Sequence, residues 1–366
     1  MVWPHFAAVG DWARRVRAAR LHARAVADRD AGRLASALVA GERALKIVEH
    51  GSAACCLDAA VVWHTIGTIR EAMCDYDDAA SAYRRSGAIL DRHHDDTVVP
   101  VRITVISSSA RLHRTLGQLD EAERLYLTAI TVAESHYGTG AVEVAPLLND
   151  LAVVYKYTAR YDDAEALYRR ALAIIEAARG PDHIDAAPIW HNLGGIEHAR
   201  GRFVDGEIYA RKSVQIRETV LGPDHVTVAE DLAALAALVQ EQQRFDEAET
   251  LYRRAIAIFE TAFGPTHYDL AVNYNNLAAL HAARGDLLDA ENLYHRALGI
   301  KQQLLKPTHP DVAITLHNLA MLYTGQGDHD RARPLFARAM GIFESSLGPE
   351  HPKTIRCKTE SDALPP

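Results

Sequence analysis

The sequence predicts an all-α solenoid of about eight helix-turn-helix repeats, and three observations predict it. The segment YDDAEALYRRALAIIE from Tyr161 returns as FDEAETLYRRAIAIFE from Phe245 and LLDAENLYHRALGIKQ from Leu287. The starts of such segments fall on a 42-residue grid at Leu119, Tyr161, Phe203, Phe245, Leu287 and His329. Two earlier copies start at Leu34 and, after a one-residue slip, at Tyr76. A period of roughly 20–50 residues marks an array in which each repeat buries its face on its neighbours. Small residues recur where helices must touch, first as Ala37, Ala79, Ala122, Ala164, Gly206, Ala248, Ala290 and Ala332. Seven residues on, the column reads Ala44, Ser86, Ala129, Ala171, Ser213, Ala255, Ala297 and Ala339. Between them runs an aromatic column of Tyr83, Tyr126, Tyr168, Tyr252, Tyr294 and Phe336, which reads as packing between layers.

Each copy reads as two helices. The first carries apolar residues at helical spacing, such as Leu148, Leu151 and Tyr155. The second opens with acidic residues such as Asp162 and Asp163, which suit the positive end of a helix dipole. It ends at Gly138, Gly180, Gly222, Gly264 or Gly348, where a left-handed cap is expected. Pro181, Pro223, Pro265 and Pro349 then stop the helix.

Taken in order, the copies vary. Copy one has Arg24 and Asp28 where others place Leu151 and Tyr155, as suits a terminal cap with less to bury. Copy three contains the β-branched run Val98–Ile106, strand-like alone, which the register makes a helix. Pro146 and Pro188 mark places where first helices either begin or kink. Copy five has Gly194, Gly195, Gly201 and Gly206, with Ala210 in the aromatic column, so looser packing is expected there. The array spans residues 15–351, with 1–14 as a lead-in and 352–366 as a tail expected to fray.

Composition bounds the function. The 366 residues are 48% hydrophobic and 24% charged with 14 prolines, too apolar for a disordered chain. A net charge of -8 argues against general affinity for nucleic acid or anionic membranes. No apolar run approaches the length of a transmembrane helix. Cys55, Cys56, Cys74 and Cys357 form neither a disulfide framework nor a zinc spacing, which points to a reducing, cytoplasmic setting. No apolar signal core opens the sequence. Seven arginines between residues 13 and 33 resemble a basic amphipathic helix. A transit peptide is the alternative, but the segment continues the repeat register and reads as folded. Only seven of the 40 basic residues are lysine, which points to a GC-rich bacterial source.

No P-loop, HExxH, GxSxG or dinucleotide motif is present, and no cofactor is expected. His183, His225, His267 and His351 recur in the turn "GPxH", and His309 in the matching turn KPTH, and each should cap or pack its own turn. Equivalent positions in successive copies should lie about 10 Å apart or more, given helix spacings of about 8–10 Å, too far to share one metal. His93, His94, Asp95 and Asp96 have ligand chemistry without a metal-binding spacing and read as a solvated loop. Cys55 and Cys56 read as buried, inert thiols, a reactive one being the alternative.

The stretch HNLAMLYTGQGDHDRARPLFARAMGIFESSLGPEH, residues 317–351, resembles the tetratricopeptide repeat in its 42-residue form, as in kinesin light chain and many bacterial proteins. The resemblance covers about residues 15–351 and implies a right-handed superhelix. Its first helices would line a concave groove for a peptide or protein segment. Carried over by register, one groove column is Asp150, Asn192, Ala234, Asn276 and Asn318. The preceding column is His22, His64, Ser107, Asn149, His191, Ala233, Asn275 and His317. Two more give Arg111, Val153 and Gly195, then Arg114, Lys156, His198 and Gln240. Asparagine both donates to and accepts from a ligand backbone, and arginine clamps carboxylates.

The groove is thus expected to be basic around Arg111, Arg114, Lys156 and His198, and acidic near Glu230 and Glu241. The lysines of the chaperone-binding carboxylate clamp are replaced by Val61, Thr104, Pro146, Pro188 and Glu230, which weakens that reading. The leading expectation is a non-enzymatic scaffold binding a partly acidic peptide or protein segment, with neither nucleic acid nor membrane as partner. The alternatives are a sensor switched by a small peptide, and an enzyme using groove histidines or a thiol.

Overall fold

The computed structural model describes residues 5–49, 56–93 and 95–365, and its elements are seventeen α-helices with three short 3-10 turns. Helices α1 (His5–Asp30) and α2 (Leu34–Glu49) form the first pair, α3 (Cys56–Ala72) and α4 (Tyr76–Leu90) the second. Then come α5 (Val99–Thr115) with α6 (Leu119–Tyr137), and α7 (Ala145–Tyr157) with α8 (Tyr161–Arg179). They are followed by α9 (Ala187–Ala199) with α10 (Phe203–Leu221), and α11 (Val226–Glu241) with α12 (Phe245–Phe263). The last pairs are α13 (Tyr268–Arg284) with α14 (Leu287–Leu304), and α15 (Pro310–Gly325) with α16 (His329–Leu347), before a single helix, α17 (Pro352–Asp362). The second helices begin at the grid residues. Among the described residues there is no strand.

The contacts divide the chain into two units, Met1–Pro181 and Asp182–Pro366. Within the first, each helix packs on the next, and the first helices α1, α3, α5 and α7 also touch in succession. The second unit repeats this with α9 to α17, where α9, α11, α13 and α15 touch in succession. Both small columns and the aromatic column are buried throughout. A further small column lies on the first helices, at Ala25, Gly67, Ala110, Ala152, Gly194, Ala236, Ala278 and Ala320, all buried. A methyl on Gly67 would sit 2.4 Å from the Tyr83 ring, so glycine there makes room for the aromatic column.

Several local expectations resolve. The Val98–Ile106 run is helical, forming the start of α5. Pro146 and Pro188 stand in the first turns of α7 and α9, so these helices begin there after 3-10 turns Val142–Val144 and Ile184–Ala186. Each histidine of these turns is an N-cap: Nδ1 of His183, His225, His267, His309 and His351 accepts a backbone N–H two residues on, at 3.1–3.4 Å.

Other expectations are corrected. The left-handed caps close the first helices, at Gly32, Cys74, Gly117, Ala159, Gly201, Gln243, Gly285 and Gly327, with φ of 58–94°. The glycines ending second helices have positive φ but extended ψ, as at Gly180 (93°, 162°), a conformation nearly confined to glycine. Asp28 in copy one is buried, not a solvated cap residue. It is held by Arg33 Nε at 2.9 Å and Ser36 Oγ at 2.7 Å. Copy five is packed tightly: a methyl on Gly206 would meet Leu238 Cδ2 at 2.7 Å and the Gly194 carbonyl at 3.1 Å. Residues 352–362 form α17 instead of fraying, with Cys357 in the core beside Phe336 and Phe343. Cys55 and His94 lie outside the described residues, as does the Cys56 side chain.

Candidate functional site

The polar columns lie on successive first helices, and the structure joins many of them to each other. In the first unit His22 Nε2 meets Thr65 Oγ1 at 2.8 Å, from α1 to α3. His64 Nε2 meets Ser108 Oγ at 2.9 Å, from α3 to α5. In the second unit His191 Nδ1 lies 2.7 Å from Asp231 Oδ1, from α9 to α11. Asn318 Nδ2 donates to Asn275 Oδ1 at 3.3 Å, and His317 Nε2 is bonded to Glu360 of α17. Within each unit these pairs tie several successive first helices together: α1 to α3 to α5 in the first, and α9 to α11 and α13 to α15 to α17 in the second. The expected site residues His64, Asn275 and His317 therefore carry out a stacking role.

The basic residues divide in the same way. Arg111 is committed internally: its Nε and Nη2 donate to both oxygens of Glu71 at 3.2 and 3.1 Å, and Glu71 accepts from the Tyr83 hydroxyl at 2.7 Å. Arg114 is half-buried and its Nε finds no acceptor. Lys156 is half-buried on α7, meets no acceptor among the described residues, and has its ammonium pKa lowered by burial. His198, in the second unit, is exposed and packs edge-on against Phe203. Burial first, then Arg111 and Arg29, push the His64 imidazole down to about 4, so it stays neutral at physiological pH. Ser107 is half-buried and donates to the Thr104 carbonyl at 3.1 Å. Asn149 donates to Asp150 at 3.4 Å, and Asn192 and Asn276 are half-buried.

Two residues, Asp231 and Glu71, escape a reading of columns, and a third, Asp150, has surroundings that its column does not show. Asp231 is fully buried and gathers Arg217 Nη1 at 2.9 Å, Ser213 Oγ at 2.5 Å and the His191 ring. Donation from Nδ1 leaves His191 Nε2 as an acceptor. Glu71 was legible only through its spacing, twelve residues before Tyr83. Asp150 is half-buried, and burial raises its carboxyl pKa against the pull of Arg114, Asn149 and Arg111. Cys357 is buried and its thiol pushed up to about 11, which makes it a poor nucleophile. Among the described residues no group of three or more His, Cys, Asp or Glu is placed to hold a metal. No helix there is long and apolar enough to cross a membrane.

A sequence model described as tetratricopeptide repeat matches residues 102–177, 143–203, 185–261, 232–303, 269–345 and 311–359. No curated protein matches the chain. Among solved structures, BtubC (BKLC) from P. vanneervenii is similar at 24% identity, over 69% of this chain and 94% of that one, with a TM-score of 0.50. The apo form of RapI shares 13% identity over 77% of this chain and 97% of its own, with a TM-score of 0.58. Aspartyl phosphate phosphatase F from Bacillus subtilis shares 12% identity over 79% and 72% respectively, with a TM-score of 0.59. At these identities the likeness speaks for the fold alone.

Proposed function

The chain belongs to the tetratricopeptide repeat family, and on that premise we propose a non-enzymatic, cytoplasmic scaffold that binds an extended, partly acidic protein or peptide segment along its first helices. Lys156 carries the reading. Its half-buried ammonium has no acceptor among the described residues, whereas Arg111, one repeat earlier, is already neutralised by Glu71. A partly desolvated cation without a counter-charge is stabilised by a carboxylate that arrives with a ligand.

The test uses peptides selected from a display library on the parent chain. They should be enriched in Asp or Glu, and Lys156→Glu should weaken them by about 2–5 kcal/mol, as for a lost, partly buried charge pair. Arg169→Glu is the control. Arg169 is exposed on α8 beside Glu165, where an ion pair contributes only about 0–1 kcal/mol. Association should also slow as salt rises. Equal losses in both variants, or binding indifferent to salt, would refute the reading.

One observation favours a second reading, proton transfer by His191: buried Asp231 holds the ring through Nδ1 while the side chain stays partly exposed. It requires turnover of a substrate that is lost in both His191→Ala and Asp231→Asn.

A further inference from the structure

Tyr126 on α6 and Tyr168 on α8 have no solvent exposure, yet neither hydroxyl makes a hydrogen bond of good geometry, and neither does Arg114 Nε on α5. Buried polar groups are rarely left this way. Earlier in the same unit the equivalent place is filled from inside, where the Tyr83 hydroxyl donates to Glu71. Glu71 stands twelve residues before Tyr83, and the residues twelve before Tyr126 and Tyr168 are Arg114 and Lys156. An acceptor has been replaced by a donor in both later copies. The acceptor that remains is Asp150 on α7, whose charge reaches Arg114, Tyr126 and Tyr168. It accepts from Asn149 and lies near enough to the Tyr126 hydroxyl to be stabilised by it, though neither tyrosine hydroxyl reaches it in good hydrogen-bond geometry.

We propose that Arg114, Asp150, Tyr126 and Tyr168 form a seat for an amide group of the bound segment. The guanidinium and the two hydroxyls call for an acceptor, while Asp150 calls for a donor. An amide presents a carbonyl and an N–H in one planar group. A carboxylate offers acceptors only and meets Asp150 as a like charge. An ammonium offers donors only and meets Arg114. Arg114 and Asp150 are half-buried and give the seat its open side. The amide comes either from an Asn or Gln side chain or from the main chain of the segment. The inference rests on the reading that a segment lies along the first helices.

The experiment pans the full chain against a phage-displayed library of random peptides. Selected peptides are then titrated by fluorescence polarisation against the parent, Asp150→Ala, Tyr168→Phe and Arg169→Glu chains. A side-chain seat predicts a shared Asn or Gln, an affinity loss of about tenfold or more with Asp150→Ala, and roughly three- to tenfold with Tyr168→Phe. Changing that Asn or Gln to Leu in the peptide should remove the sensitivity. A main-chain seat predicts the same losses without a shared residue, abolished by N-methylating one peptide bond.

Tyr168→Phe deletes an unpaired hydroxyl, so its melting temperature should hold or rise while affinity falls. A lower melting temperature with unchanged affinity gives the hydroxyl a purely structural role and overturns the seat. So does a shared Asp or Glu that confers the Asp150→Ala sensitivity, and so does unchanged affinity in both variants, which leaves binding along the first helices standing. Failure to select any peptide overturns both readings together.

Discussion

Ala159 carries a left-handed backbone (φ 58°) at a position where five of the eight repeats have glycine. It closes α7, with Arg160 N–H bonded back to the Tyr155 carbonyl at 2.8 Å. For a residue with a Cβ that conformation costs about 1–2 kcal/mol, whereas the extra freedom glycine brings to the unfolded chain costs about 0.4–1 kcal/mol. Strain relief exceeds the entropy cost. Ala159→Gly should therefore stabilise the protein by about 0.5–1 kcal/mol in urea unfolding, and Gln243→Gly, at φ 60°, should do the same. A loss in both would show that these side chains contribute contacts larger than the strain. The sequence held a trace of this column in Gly32, Gly117, Gly201, Gly285 and Gly327, but Cys74, Ala159 and Gln243 hide it. Residue type does not record a backbone angle where a non-glycine residue tolerates the strain.

At the scale of elements, a helix glycine has two opposite meanings. Gly206 on α10 sits where a methyl would meet Leu238 Cδ2 at 2.7 Å, the Gly194 carbonyl at 3.1 Å and Glu197 Cβ at 3.2 Å. Leu238 is the flexible end of a side chain, but the Gly194 carbonyl is backbone and cannot yield cheaply. Gly206→Ala should cost about 1–3 kcal/mol, an overpacking loss that exceeds the roughly 1 kcal/mol of helix propensity gained. Gly299 on α14 has nothing within 4 Å of such a methyl, so Gly299→Ala should gain about 1 kcal/mol. Melting temperatures moving in opposite directions would establish the contrast, and a stabilised Gly206→Ala would refute the close approach. The repeat grid made the helix pairs and their packing columns legible, because periodicity reports which face is buried. It did not report how closely α9 and α10 approach, since four glycines in one copy are equally compatible with a gap and with a tight contact.

At the scale of the molecule, side-chain pairs join several successive first helices within each unit, which explains why the candidate site was only partly legible. A polar residue on that face looks the same in sequence whether it is bonded to the next helix, as His64 is to Ser108, or has no acceptor, as with Lys156. The same pairing also explains α17. His351 caps it as His309 caps α15, so α17 stands in the place of a further first helix, and its Glu360 takes the bond that His317 offers. A grid counted on second helices has nothing to align there. Because solenoid stability is a sum of nearest-neighbour interfaces, removing 352–366 should act locally. The truncation exposes the face of α16 that packs around Cys357 and Leu364, including Phe336 and Phe343, and strips His317 of its carboxylate. Hydrogen exchange should show α15 and α16 losing protection, α13 and α14 losing less, and α1 to α8 unchanged. Uniform loss across the chain would mean a single cooperative core in place of nearest-neighbour coupling, and unchanged protection in α16 would mean that α17 contributes nothing to the stack.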